Sequence, residues 1–187
     1  MAHASGTPGP GGGTETPGPT LGPGGCVLST PTAPPAGLTL FVCYRMSGQV
    51  TAQGGFEDEA QSVSGLSCSA WAAHGNLPAG QTGAVLFLPD PGDAQASVAG
   101  QPIGFYLAIG AYTGPGSYRA ATDVVESATV GESVSWSTNA DPKATFSAQV
   151  SADGAGSVTA ANLREDNSAG GLETVTETWT CAVEPGG

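Results

Sequence analysis

Positive charge is nearly missing from this chain: 4 lysines and arginines face 16 aspartates and glutamates, a formal charge of −12 over 187 residues. Nucleic-acid binders draw affinity from Lys and Arg that release counterions, and anionic membranes are gripped by basic clusters, so both partner classes are disfavoured. An acidic balance of this size serves solubility first. Long apolar runs are missing too. No stretch of about 18 apolar residues exists, so no transmembrane helix is predicted. Residues Met1 to Gly6 show neither the basic start nor the apolar stretch of a secretory signal. The expectation is a mature or trimmed form in which Met1 stands where an export signal was removed.

Motifs of chemistry are equally scarce. No C-x-x-C pair with a nearby histidine spacing occurs, which argues against zinc. The G-x-S-x-G elbow of a serine hydrolase is lacking, as are D-x-D-x-D-G and the nonapeptide calcium repeat. Aromatics make up only 6 % of the chain and are not interleaved with the acidic clusters, so a pair of glycosidase carboxylates is not suggested. No cofactor is expected and no catalytic residue is assigned.

What is abundant is glycine and proline, 30 and 15 residues respectively. The stretch SGTPGPGGGTETPGPTLGPGG, from Ser5 to Gly25, offers too little apolar surface to offset chain entropy. Residues 1–25 are therefore predicted as a disordered linker, and 26–184 as a single domain. Thr7, Thr14, Thr16 and Thr20 lie by prolines in a pattern that suits a plain spacer or an O-glycosylated stalk. A spacer there also suits a protein hung from a cell surface by a lipidated N-terminal cysteine, which this chain does not contain.

Cysteines number four, Cys26, Cys43, Cys68 and Cys181. An even count without metal spacing points to two disulfides formed in an oxidising compartment, with three pairings possible. The favoured pairing is Cys26 with Cys43, stapling the end of the linker to the first strand, and Cys68 with Cys181, tying mid-chain to the last strand. Closing so long a loop stabilises by roughly 2–4 kcal/mol, mainly by restricting the unfolded chain.

Period-2 patterning between turn clusters predicts strands at 38–45, 48–56, 62–72, 83–89, 103–112, 117–125, 143–150, 156–163 and 172–183. The last is the clearest: Thr174, Thr176, Thr178 and Thr180 alternate with Val175, Glu177, Trp179, Cys181 and Val183. Ala152-Asp153-Gly154 marks the hairpin between 143–150 and 156–163. No window of about 11 residues keeps a helical period free of Gly or Pro. The predicted class is all-β, an antiparallel sandwich or, alternatively, a partly closed barrel. Trp71, Trp136, Trp179, Phe41, Phe87, Phe105 and Phe146 are its core candidates.

Tyr112-Thr113-Gly114-Pro115-Gly116-Ser117-Tyr118, the hairpin FSAQVSADGAGSV and the closing T-W-T-C together resemble a loose group of secreted bacterial lipoproteins and surface β-sandwich domains of unknown function. The resemblance covers about residues 100–182. It implies an exported sandwich and brings no catalytic residues. Read on its own chemistry, Gly114-Pro115-Gly116 is a tight turn that Tyr112 and Tyr118 would cover from either side.

Several side chains are candidates for binding. Trp71, near the end of the predicted strand 62–72, and His74, in the loop after it, lie beside one loop, and Asp90 with Asp93 could give a hard cation oxygen ligands. Glu177 falls on the same face as Val175 and Trp179, where a carboxylate needs a partner such as Arg45 or Arg119 unless it lies at the sheet rim. The leading expectation is an exported, surface-tethered structural or interaction module with an extracellular partner. A small-ligand, carbohydrate or calcium-dependent binder comes next. A hydrolase built on His74 and a carboxylate, and an assembling fibre or virion subunit, follow.

Overall fold

The computed structural model describes residues 21–28, 37–59, 67–75, 85–92, 96–119, 127–131, 134–137, 143–166 and 171–184. Its strands are β1 (Gly37–Gly48), β2 (Ala52–Glu59), β3 (Leu86–Phe87), β4 (Ser97–Val98), β5 (Gln101–Tyr106) and β6 (Ala108–Ile109). They continue with β7 (Gly116–Arg119), β8 (Ser127–Val130), β9 (Val134–Ser137), β10 (Thr145–Val150), β11 (Gly156–Glu165) and β12 (Leu172–Glu184). One α-helix, α1 (Cys68–His74), stands among them in the described residues. No described helix is long and apolar enough to cross a membrane.

All the strand ladders are antiparallel, as the alternating patterns require, and ten strands form one sheet in the order β2-β1-β12-β11-β9-β8-β5-β4, with β10 and β7 branching from β11. The branch has a local cause. The register of β11 against β12 shifts between Ala160 and Leu163, and Asn162 takes a left-handed φ of 59°. Such a bulge bends its strand. The first half of β11 thereby pairs with β10, and Arg164 and Glu165 pair with β9.

The sheet curls until its two ends face each other. Tyr44 of β1 packs edge-on against Phe105 of β5, ring centroids 5.5 Å apart, and also meets Phe56 of β2 at 6.0 Å. Of the two predicted forms of the all-β fold, the partly closed barrel describes this sheet. Leu40, Val42, Met46, Phe56, Ile103, Phe105, Trp136, Val175 and Trp179 fill its interior. Each such side chain contributes roughly 1.5–3 kcal/mol by leaving water.

Both favoured disulfides are present, with Cα atoms 5.8 Å apart in each. Cys68–Cys181 ties the start of α1 to β12 beside the Ser151–Ala155 turn. There Gly154 has φ +85°, and a Cβ on it would lie 3.0 Å from both Cys181 Cβ and the Cys68 carbonyl oxygen. Cys26–Cys43 fixes residues 21–28 to the outside of β1 and β2. Gly55 makes the room: a Cβ there would stand 2.6 Å from Cys26 Sγ and 2.8 Å from Leu28. Residues Leu21 to Gly25, expected inside the linker, thus fold onto the barrel as a strap with a Gly22 N–H to Cys26 carbonyl bond of 2.9 Å. Residues 1–20, the rest of the predicted linker, lie outside the described residues.

Other expectations change. Of the strand predicted at 62–72, residues 62–66 lie outside the described residues, and from Cys68 the chain is helical instead, capped by Ser67, whose Oγ accepts the Ala70 N–H at 3.2 Å. Alanines at 70, 72 and 73 favour a helix, and a period of 2 over so few residues does not discriminate. The apolar run 103–112 is split at Leu107, where the chain leaves β5 and pairs instead with β3. Phe41 faces outward and is half-buried, Phe87 is 38 % exposed, and Phe56, not foreseen, is fully buried. The Gly114-Pro115-Gly116 turn is as expected, with Tyr112 and Tyr118 stacked at 5.3 Å and the Tyr118 hydroxyl bonded to the Gly114 carbonyl.

Candidate functional site

Strand β12 runs through the middle of the sheet, and its two faces carry opposite chemistry. Its inward residues include two glutamates. Glu173 is fully buried, and its carboxylate accepts the N–H groups of Val50 at 2.8 Å and Thr174 at 3.2 Å. Burial pushes its pKa up and those backbone donors pull it back. Glu177 is 1 % exposed, and neither of its oxygens has a partner among the described residues. Desolvation, then the nearby Asp90 and Asp58, holds its carboxyl well above the usual carboxylate range.

Asp58 and Asp90 form the seam where the barrel closes. Asp58 of β2 accepts the Asp90 N–H at 3.2 Å. Asp90 in turn accepts the N–H of Phe105 in β5 at 3.1 Å and of Gly92 at 3.2 Å. Burial raises Asp58 from 3.8 to about 7, opposed by the Asp90 N–H bond and assisted by the charges of Asp90 and Glu59. None of the four basic residues enters this interior: Arg45, Arg119 and Lys143 are exposed and Arg164 is half-buried. Among the described residues no group of three or more His, Cys, Asp or Glu side chains is arranged to hold a metal ion.

The outward face is the reverse. Thr174, Thr176, Thr178 and Thr180 of β12 point away from the core. Register sets Thr176 beside Arg45 of β1 on one side and Thr159 of β11 on the other. Thr159 faces Ser147 of β10, and Ser147 faces Arg119 of β7. One row across five strands therefore reads Arg45, Thr176, Thr159, Ser147, Arg119. The next row reads Cys43, Thr178, Ser157, Gln149, Ser117. No Asp or Glu occupies an outward position of these strands within Phe41–Ser47, Ser117–Arg119, Thr145–Gln149, Ser157–Ala161 or Leu172–Ala182.

A groove lies at each end of the row. One, about 580 Å³, is lined by Arg45, Gln53, Gly54 and the strap residues Gly24 to Val27. The other, about 520 Å³, is lined by Arg119, Thr145, Ser147 and Thr159.

The residues singled out by sequence do not form one site. Trp71 is buried, with Nε1 lacking a partner among the described residues, while His74 is exposed as the last residue of α1 rather than in a loop. Asp90 spends its Oδ1 on backbone N–H groups, and Asp93 lies outside the described residues. Glu177 is inside the barrel rather than at a rim. Neither Arg45 nor Arg119 pairs with it, because both sit at outward register positions. Asp58 was missed, since its approach to Asp90 depends on closure of the sheet. The Arg45 to Arg119 row was missed because register across five strands is not readable from any one of them.

No protein-family model, no curated protein and no solved structure matches the chain.

Proposed function

We propose that this chain is an exported interaction module, displayed at a cell surface, which meets an extracellular partner with the outer wall of β1, β12, β11, β10 and β7. The observation that carries the display is the pairing of all four cysteines, which leaves no free thiol. Disulfides persist in oxidising compartments and are rare elsewhere. The strap adds support, since Cys26–Cys43 fixes the described residues 21–28 to the outside of the barrel. The wall adds more: an uncharged hydroxyl surface ending in two arginines is an unusual feature in a chain of net charge −12.

Non-reducing peptide mapping of the protein from its native cells tests this. Linked peptides Cys26–Cys43 and Cys68–Cys181, from a surface fraction, are expected. Free thiols in a cytosolic fraction would end the reading.

A carbohydrate-binding reading on a different surface has one specific support. Phe87 and Tyr106 are 38 % and 50 % exposed with ring centroids 6.1 Å apart, a pair of faces on which a sugar can stack. Loss of neutral-oligosaccharide binding in Tyr106→Ala would favour it over the wall.

A further inference from the structure

We infer that the outer wall binds an acidic polysaccharide, with Arg45 and Arg119 each taking a carboxylate of the polymer and the hydroxyls between them taking its sugar hydroxyls. This rests on the reading of the wall as an interaction face and names its partner.

Charge sorting comes first. The chain has 16 acidic residues and 4 basic ones, yet within Phe41–Ser47, Ser117–Arg119, Thr145–Gln149, Ser157–Ala161 and Leu172–Ala182 the outward positions hold two of the bases and none of the acids. Lys143, just before β10, and Arg164, near the end of β11, stand at the margins of the same wall. A solvated acidic surface would scatter carboxylates over it. Their exclusion, with both arginines exposed, leaves a local field suited to an anion. Salt screening over about 8 Å at physiological ionic strength hides the distant carboxylates from a bound ligand.

The polar lining selects among anions. Arg offers a planar fork that matches a carboxylate bidentately. Thr159 and Ser147 can both donate and accept, as sugar hydroxyls do, and Thr176, whose hydroxyl donates to the Arg45 carbonyl at 3.3 Å, keeps its lone pairs as acceptors. Four strand spacings separate the arginines, about 19 Å along the sheet, which suits an extended chain rather than one small ion. The grooves at either end, about 580 and 520 Å³, let each guanidinium meet a ligand from the side.

Other occupants fit less well. A protein partner is normally anchored by aromatic side chains, and the two rows hold only hydroxyls, Gln149, the disulfide-bonded Cys43 and the arginines. A nucleic acid requires more cations than this wall has.

The test uses the purified, disulfide-intact chain, titrated calorimetrically with polygalacturonate and, as a neutral control, dextran. Binding to polygalacturonate is expected, with none to dextran. It weakens as salt rises and falls about tenfold or more in Arg45→Gln/Arg119→Gln, while Glu177→Gln leaves it unchanged. No binding, equal binding to dextran, or binding that survives the double arginine variant would overturn the inference. Concentration-dependent self-association lost in the double variant would also overturn it, by assigning the wall to a second copy. Disulfide mapping is independent of these arms: linked cysteines without polymer binding would remove this partner and leave the displayed module standing.

Discussion

The two faces of β12 are built from alternating residues of one segment, and they sort charge opposite to habit. Glu173 and Glu177 point inward, while the outward face holds threonines flanked by Arg45. Carboxylates are normally the groups a barrel leaves in water. Glu173 shows how one is accommodated: the Val50 N–H of the β1–β2 turn and the N–H of its own neighbour Thr174 bond to it. Glu177, four residues on, has no such donors among the described residues, and desolvation pushes its pKa well up instead. A buried carboxyl is thus structural in one place and a liability in the other.

The largest effect should come from Glu173. Glu173→Leu strips buried N–H groups of their acceptor and is expected to cost roughly 2–4 kcal/mol, read by urea unfolding. Glu177→Leu should do the opposite, gaining about 1–3 kcal/mol at pH 8, since it removes a desolvated carboxyl that has no partner among the described residues. Equal losses at both positions would erase the distinction between them.

Next in size is the pH dependence. The folded pKa of Asp58 is raised from 3.8 to about 7 and that of Glu177 lies well above its ordinary value. Between the unfolded and folded values the native state binds more protons, so stability is full below about pH 4 and declines as pH climbs through 7. Asp58 keeps some contact with solvent, so its part is about 2–3 kcal/mol rather than the full shift. Thermal midpoints should drop from pH 5 to pH 8, and Asp58→Asn/Glu177→Gln should flatten the profile. A profile unchanged in that double variant would show that the titration lies elsewhere.

The smallest effect on stability belongs to the outer wall. Thr176→Ala and Thr159→Ala should each stay within about 0.5 kcal/mol of the parent while weakening polymer binding in calorimetry. A large stability loss would mean the hydroxyls hold the sheet together and are not presented to a partner.

Much of this comparison was legible in the sequence. The Thr alternation of 172–183 places Glu177 inward, and the Ala152-Asp153-Gly154 turn fixes the hairpin that flanks it. Cysteine count and position point to both disulfides. What local pattern did not carry was anything set by long-range register. Arg45 and Arg119 are separated by three intervening strands and become one row only when β1, β12, β11, β10 and β7 align. Asp58 joins Asp90 only because the sheet closes. Helix α1 escaped for a local reason, as Ser67 and three alanines outweigh a brief alternation of small residues.

The most direct test of a structural inside and a binding outside is amide chemical-shift mapping by NMR during titration with galacturonate oligomers. The account predicts shifts at Arg45, Thr176, Thr159, Ser147 and Arg119 with little change at Glu173 or Glu177. Shifts centred on Phe87 and Tyr106, or on Asp58, Asp90 and Glu177, would contradict it.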